Sequence, residues 1–159
     1  MSLPPYDELN PIVRALLDYW QRMHPDNGLP GRQHFDPAAI ASLLANVWLL
    51  DVTSDPYRFN YRVIGSALVD AGTPCKTNEW LHVSVPEPDK RADMEAFFIE
   101  AIESRSPNWR RGAPTIYHNR YISDLEVIAL PMARDGETVD QLLCATVFYW
   151  GKHGGSPPS

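Results

Sequence analysis

The sequence predicts an α+β fold, an antiparallel sheet with its helices gathered on one face. Three observations carry this. Periodic segments run in the order helix, helix, strand, strand, short helices, long helix, strand, strand, strand; strands in runs favour antiparallel pairing over a parallel βαβ sheet. Leu, Ile, Val and Phe make up about a quarter of the 159 residues, enough for the core of one domain. The 15 Pro and 9 Gly stay below the share typical of low-complexity chains, so they punctuate a folded chain.

Asn10 offers an N-cap and Pro11 a first helical residue, with Ile12, Val13, Leu16, Leu17, Trp20 and Met23 in one apolar stripe. Arg22 and His24 suit the negative end of the helix dipole, and Pro25 with Gly28 stops the chain, which predicts a helix over 11–24. Asp36-Pro37 repeats the cap-then-proline signal before Ile40, Leu43 and Leu44, a second and shorter helix. Residues 47–52 read as a buried strand, 53–56 as a turn and 57–64 as its hairpin partner. In the latter Tyr57, Phe59, Tyr61 and Val63 face inward, and Arg58, Asn60, Arg62 and Ile64 form the other face.

From 65 to 88 no periodic segment exceeds two turns, so short helical turns and loops are expected. Pro88 opens a long helix to Ser104, with Met94, Phe97, Phe98, Ala101 and Ile102 on one face. Extended stretches follow at about 114–121, 125–133 and 138–150, the last two joined by a tight turn at Asp135-Gly136. The organisation expected is a flexible start (1–10), a helical extension (11–46), a sheet-based core (47–150) and a disordered tail (151–159).

Charge and motifs exclude several classes. With 14 Lys+Arg against 20 Asp+Glu the net charge is -6, the wrong sign for a nucleic-acid or anionic-membrane binder. No apolar run approaches a membrane span and the N-terminus lacks a signal-peptide pattern, so a cytoplasmic protein is expected. Cys75 and Cys144 stand too far apart for a zinc pair and are expected as reduced thiols. His24, His34, His82, His118 and His153 include no pair at metal-binding spacing. Gly65-Ser66-Ala67 lacks the nucleophile elbow, and no phosphate-cradling loop occurs. The acids of the long helix, from Glu87 to Glu103, read as a solvated face.

Aromatic residues are the more informative asset. Tyr61, Trp80, Phe97, Phe98, Tyr117 and Phe148 either line a cavity or fill a solid core. Arg62, on the polar face of its strand, must reach solvent, a carboxylate or a bound anion, because an unpaired buried guanidinium is costly.

Residues 29–37 (LPGRQHFDP), 59–68 (FNYRVIGSAL) and 125–132, ahead of the Asp135-Gly136 turn, resemble in order and spacing a bacterial family of short stand-alone PAS proteins. The resemblance covers roughly 16–150. It implies a five-stranded antiparallel sheet in the order 2-1-5-4-3 with helices cupped over one face, and a sensory or interaction role. Many PAS domains hold a small ligand between sheet and helices, and others act empty through dimer contacts. The flavin-binding motif of light sensors is not matched by residues 73–78; a single His serves as an axial haem ligand in some PAS domains, and His82 or His118 lies near where the pocket is expected. The cofactor stays unknown.

The reading is a non-enzymatic sensory or regulatory module that binds a small molecule, a protein partner or both. Tyr61, Arg62, Trp80, Phe97 and His118 are its candidate ligand-binding residues, and no catalytic or metal residue is assigned. The alternatives are a small cavity enzyme acting on an apolar carboxylate, with His118 as base, and a ligand-free dimerisation adaptor. A homodimer is expected through the N-terminal helix and the outer sheet face; the competing outcome is that this helix packs on its own sheet.

Overall fold

The structure, a computed structural model, describes residues 3–151. Strands β1 (Val47–Thr53), β2 (Arg58–Ile64), β3 (Asn108–Gly112), β4 (Ile122–Met132) and β5 (Gln141–Trp150) form one sheet in the order 2-1-5-4-3. Every neighbouring pair is antiparallel. The apolar strands β1 and β5 are flanked on both sides, as the sequence implies, and the charged β3 takes an edge.

Two faces of this sheet are covered by different helices. Helix α4 (Pro88–Ser104) lies on the inner face, where Phe98 meets the rings of Trp48 and Phe59 at 5.7 and 5.1 Å between centroids. Short helices α2 (Ser66–Asp70) and α3 (Leu81–Ser84) fill the segment expected to hold short helical turns and loops. The outer face is closed by α1 (Pro11–Arg22) and by a 3-10 helix, Pro37–Asn46, which replaces the short α-helix expected there and is kinked at Ile40.

Helix α1 begins as its sequence dictates. The Asn10 side chain accepts from Ile12 N at 2.9 Å and Pro11 occupies the first helical position. Its last helical residue is Arg22, and the His24 ring meets the Trp20 carbonyl at 2.8 Å beyond the end. Val13, Leu16, Leu17 and Trp20 are buried within the chain, and the Trp20 indole donates to the Pro131 carbonyl at 2.9 Å. The stripe expected to seek a second copy is therefore satisfied in cis. Pro131 is tolerated in β4 because β3 stops pairing at Ala129, leaving no ladder bond on that side for the missing N–H.

Below α1 lies a buried carboxylate. Glu126 has no exposed surface, and its oxygens accept from Asn10 N at 3.0 Å, Trp109 Nε1 at 3.1 Å and the Tyr149 hydroxyl at 2.9 Å. Three donors from three elements compensate its desolvation.

Three expectations are corrected. The strand expected at 114–121 lies at Asn108–Gly112: an edge strand needs no apolar alternation, so its charged Asn-Trp-Arg-Arg-Gly run gave no period-two signal, while 114–121 leaves the sheet as a loop. The alternation of β2 breaks after Tyr61. Leu50 pairs with Tyr61 but Leu49 with Val63, so Arg62 is the extra residue of a β-bulge; Val63 turns out and Ile64 turns in. The turn at Asp135-Gly136 sits in a loop spanning 133–140, longer than a two-residue hairpin. Of the flexible ends, residues 1–2 and 152–159 lie outside the described residues; between them and α1, Tyr6–Glu8 forms a 3-10 turn and Leu9 is buried.

Two outcomes follow from this packing. Glu126→Leu, which strands three donors, is expected to lower stability by about 3 kcal/mol in urea unfolding, and Glu126→Gln by about 1 kcal/mol, because an amide oxygen still accepts. Equal losses for the two would show that the site is held by shape alone. Leu16→Glu is expected to give an unfolded or aggregated chain by circular dichroism and light scattering; a folded monomer would mean that the stripe is not part of the protomer core.

Candidate functional site

Between the inner sheet face and α4 lies a cavity of about 50 Å³. The sheet supplies Trp48 from β1, Tyr61 and Ile64 from β2, Val127 from β4 and Thr146 from β5. Helix α4 contributes Met94, Phe97 and Phe98, and the loops 73–75 and 113–117 close the remaining side. The wall is mainly apolar, with a few hydroxyls at fixed places. Thr146 Oγ1 accepts from the Trp48 indole at 2.9 Å, which holds the indole ring against the floor. Arg110 reaches the rim from β3, pairs with Asp93 at 2.9 Å and lies 5.0 Å from the Phe97 ring centre.

Burial sets the electrostatics here. The Tyr61 phenol is pushed far above its ordinary range, first by desolvation and then by the Cys75 thiol that it faces. Burial likewise raises the Cys75 thiol, which outweighs the opposing contacts with Tyr61 and Thr73. Tyr117 is raised for the same first reason. At neutral pH these groups are protonated, so the cavity offers uncharged donors and acceptors and a thiol poorly suited to nucleophilic attack.

The structure brings together two of the five residues expected to bind ligand. Tyr61 and Phe97 line the cavity. Arg62 projects from the opposite face and pairs with Asp51 at 3.0 Å. Trp80 bridges to Asn60 on the outside of β2 and stacks on His82. His118 lies in a shallow depression beside Asp70 and Arg120, 3.5 Å from Lys90 Nζ. Sequence reasoning missed Thr73, Cys75 and Thr146 as lining residues. Thr146 carried a usable signal: it is the single hydroxyl in the run 142–148, at an inward-facing register position opposite Val127.

No group of three or more His, Cys, Asp or Glu able to hold a metal occurs among the described residues, and none of their helices is long and apolar enough to cross a membrane.

A five-stranded antiparallel sheet in this order, cupped by helices over a small cavity, defines a PAS-type fold. A family model described as PAS domain matches residues 10–147, the greater part of the chain, and the chain belongs to that family. No curated protein and no solved structure matches it. The matched region begins at the cap of α1, so the helix outside the sheet core falls within the family's extent.

Cys75 and Cys144 are both buried and both raised in pKa by burial. Their thiolate fraction at pH 8 is thus lower than that of a free thiol, and Ellman's reagent is expected to react slowly with the native chain and with both thiols after unfolding. Rapid labelling of Cys75 in the native state would show that the cavity opens to reagent.

Proposed function

We propose that this PAS domain is a sensory or regulatory module whose inner cavity binds a small, mostly apolar molecule with one polar end, and that occupancy is passed on by contact with another protein. The observation that supports it is the set of uncharged polar groups, Tyr61, Thr73, Tyr117 and Thr146, converging on an otherwise apolar space. These groups are partnered around the void, Tyr61 with Cys75, Tyr117 with Thr73 and Thr146 with Trp48, and their hydroxyls keep capacity for the polar end of a ligand. At about 50 Å³ the space suits only a few heavy atoms, and a larger ligand requires the flexible Met94 or the loop 113–117 to give way. The net charge of -6 favours a protein over a nucleic acid as receiver of the signal.

The enzyme alternative loses support because His118, its proposed base, stands outside the cavity, and a base must reach its substrate within hydrogen-bond distance. The adaptor alternative needs the cavity to be functionally idle.

Native mass spectrometry of gently purified protein tests the reading. A stoichiometric small-molecule adduct is expected, lost in Val127→Phe, which fills the cavity, and weakened about tenfold in Tyr61→Phe if the phenol holds the polar end. An adduct retained by a folded Val127→Phe, or a wild-type protein that carries none and is not stabilised in a thermal screen of small alcohols and acids, would overturn it.

A further inference from the structure

On the outer face of the sheet, away from the cavity, lies a cleft of about 510 Å³ lined by Arg32, Arg62, Arg134, Asp51, Asp140 and Gln141. The chain assembles it from four separate segments. Gly31 packs so tightly on the loop after β4 that a Cβ there would stand 2.8 Å from the Ala133 carbonyl oxygen, and Ala133 N donates to the Pro30 carbonyl at 2.9 Å. Gln33 adds a bond to the Arg134 carbonyl at 2.9 Å. This docking holds Arg32 and Arg134 at one site. Arg62 joins them from the β-bulge of β2, and Asp51 and Gln141 are paired across β1 and β5.

The polar groups in the cleft do not satisfy one another. Asp51 is fully used, taking Arg62 at 3.0 Å and the Gln141 amide at 2.7 Å. That second bond fixes the Gln141 amide orientation, and its Oε1, buried in a residue only 7% exposed, has no hydrogen-bond partner. An orphaned buried acceptor is uncommon and costs stability unless something donates to it. Among the described residues, neither Arg32 nor Arg134 has a carboxylate within ion-pair distance. Asp140 receives a long bond from Arg134 N, 3.4 Å, and is drawn by the Arg134 charge beside it. What is left over is two exposed guanidinium groups free to take an anion, Arg134 offset in part by Asp140 beside it, and the buried Gln141 carbonyl without a donor.

We propose that this cleft is a second binding site, for a small organic acid that also carries a hydrogen-bond donor, that is, a hydroxy or amino acid. Its carboxylate takes the forks of Arg32 and Arg134, a geometry suited to planar anions. Its hydroxyl or ammonium group serves the Asp140 and Gln141 side. A purely acceptor anion such as succinate dianion would leave the second half unmet. The cleft is open to solvent and has room for such an acid, which the inner cavity of about 50 Å³ does not. This site is independent of the cavity reading and stands or falls without it.

Calorimetry at low ionic strength with L-malate, L-aspartate, succinate and inorganic phosphate tests the assignment on the full chain. Saturable binding of L-malate or L-aspartate is expected, about tenfold weaker in each of Arg32→Gln and Arg134→Gln, with succinate at least about fivefold weaker for want of a donor. Both arginines are exposed, and circular dichroism with thermal melting checks that the variants fold. The tighter of malate and aspartate tells hydroxyl from ammonium. Absence of saturable binding, succinate or phosphate binding as tightly as the better of the two acids, or binding that either variant retains would overturn it.

Discussion

Glu126 sits in β4 with its carboxylate wholly buried, and three donors from the chain's beginning, its edge strand and its last strand converge on it. The residue before α1 is committed twice, by side chain to its own helix and by backbone to Glu126. That double use fixes where the helix starts on the sheet. From there α1 runs across the outer face far enough for Trp20 to reach the Pro131 carbonyl. A buried carboxylate is poor value as raw stability, because its desolvation offsets much of what its hydrogen bonds return. Its contribution is register: with an apolar residue at 126 the start of α1 would lose its backbone anchor, leaving the Trp20 indole and the Asn10 amide to hold the helix in place. With much of the outer face covered by α1 and the 3-10 helix, the inner face is left to α4 and to the cavity.

The β-bulge at Arg62 divides labour between those faces. One extra residue in β2 turns Ile64 into the cavity and sends Val63 outward, while Arg62 is left to pair with Asp51 on the outer side. Without the insertion, strict alternation would carry Val63 inward and Ile64 outward. The same residue therefore shapes the cavity wall on one side of the sheet and furnishes a charge to the polar cleft on the other.

Much of the fold was legible because its signals are local. Caps and prolines located α1 and α4, and the apolar runs of β1 and β5 announced flanked strands. What was not legible depends on partners distant in sequence. Strand β3 is charged and short, and only its pairing with β4 makes it a strand. The bulge shifts parity by one, which no periodicity within β2 alone reports. At the site, Tyr61 and Phe97 were readable because strand alternation and helix stripe both aim them inward. Trp80 and His118 were misplaced for the opposite reason: in irregular segments, nearness along the chain to the cavity walls does not fix where a side chain points. Thr73 and Cys75 stand in just such a loop, and nothing in their spacing marks them.

The bond from residue 10 to residue 126 spans 116 positions, and β1 likewise finds β5 only across most of the chain. On a ribosome, where synthesis runs from the N-terminus, α1 emerges first and its landing surface last. At ordinary elongation rates the gap amounts to roughly ten seconds. Throughout that interval the amphipathic stripe of α1 has no sheet to lie on, and the neighbours that flank β1 on one side do not yet exist. Folding of this domain is thus paced by the arrival of β5, and the nascent chain must keep the apolar stripe of α1 shielded until then.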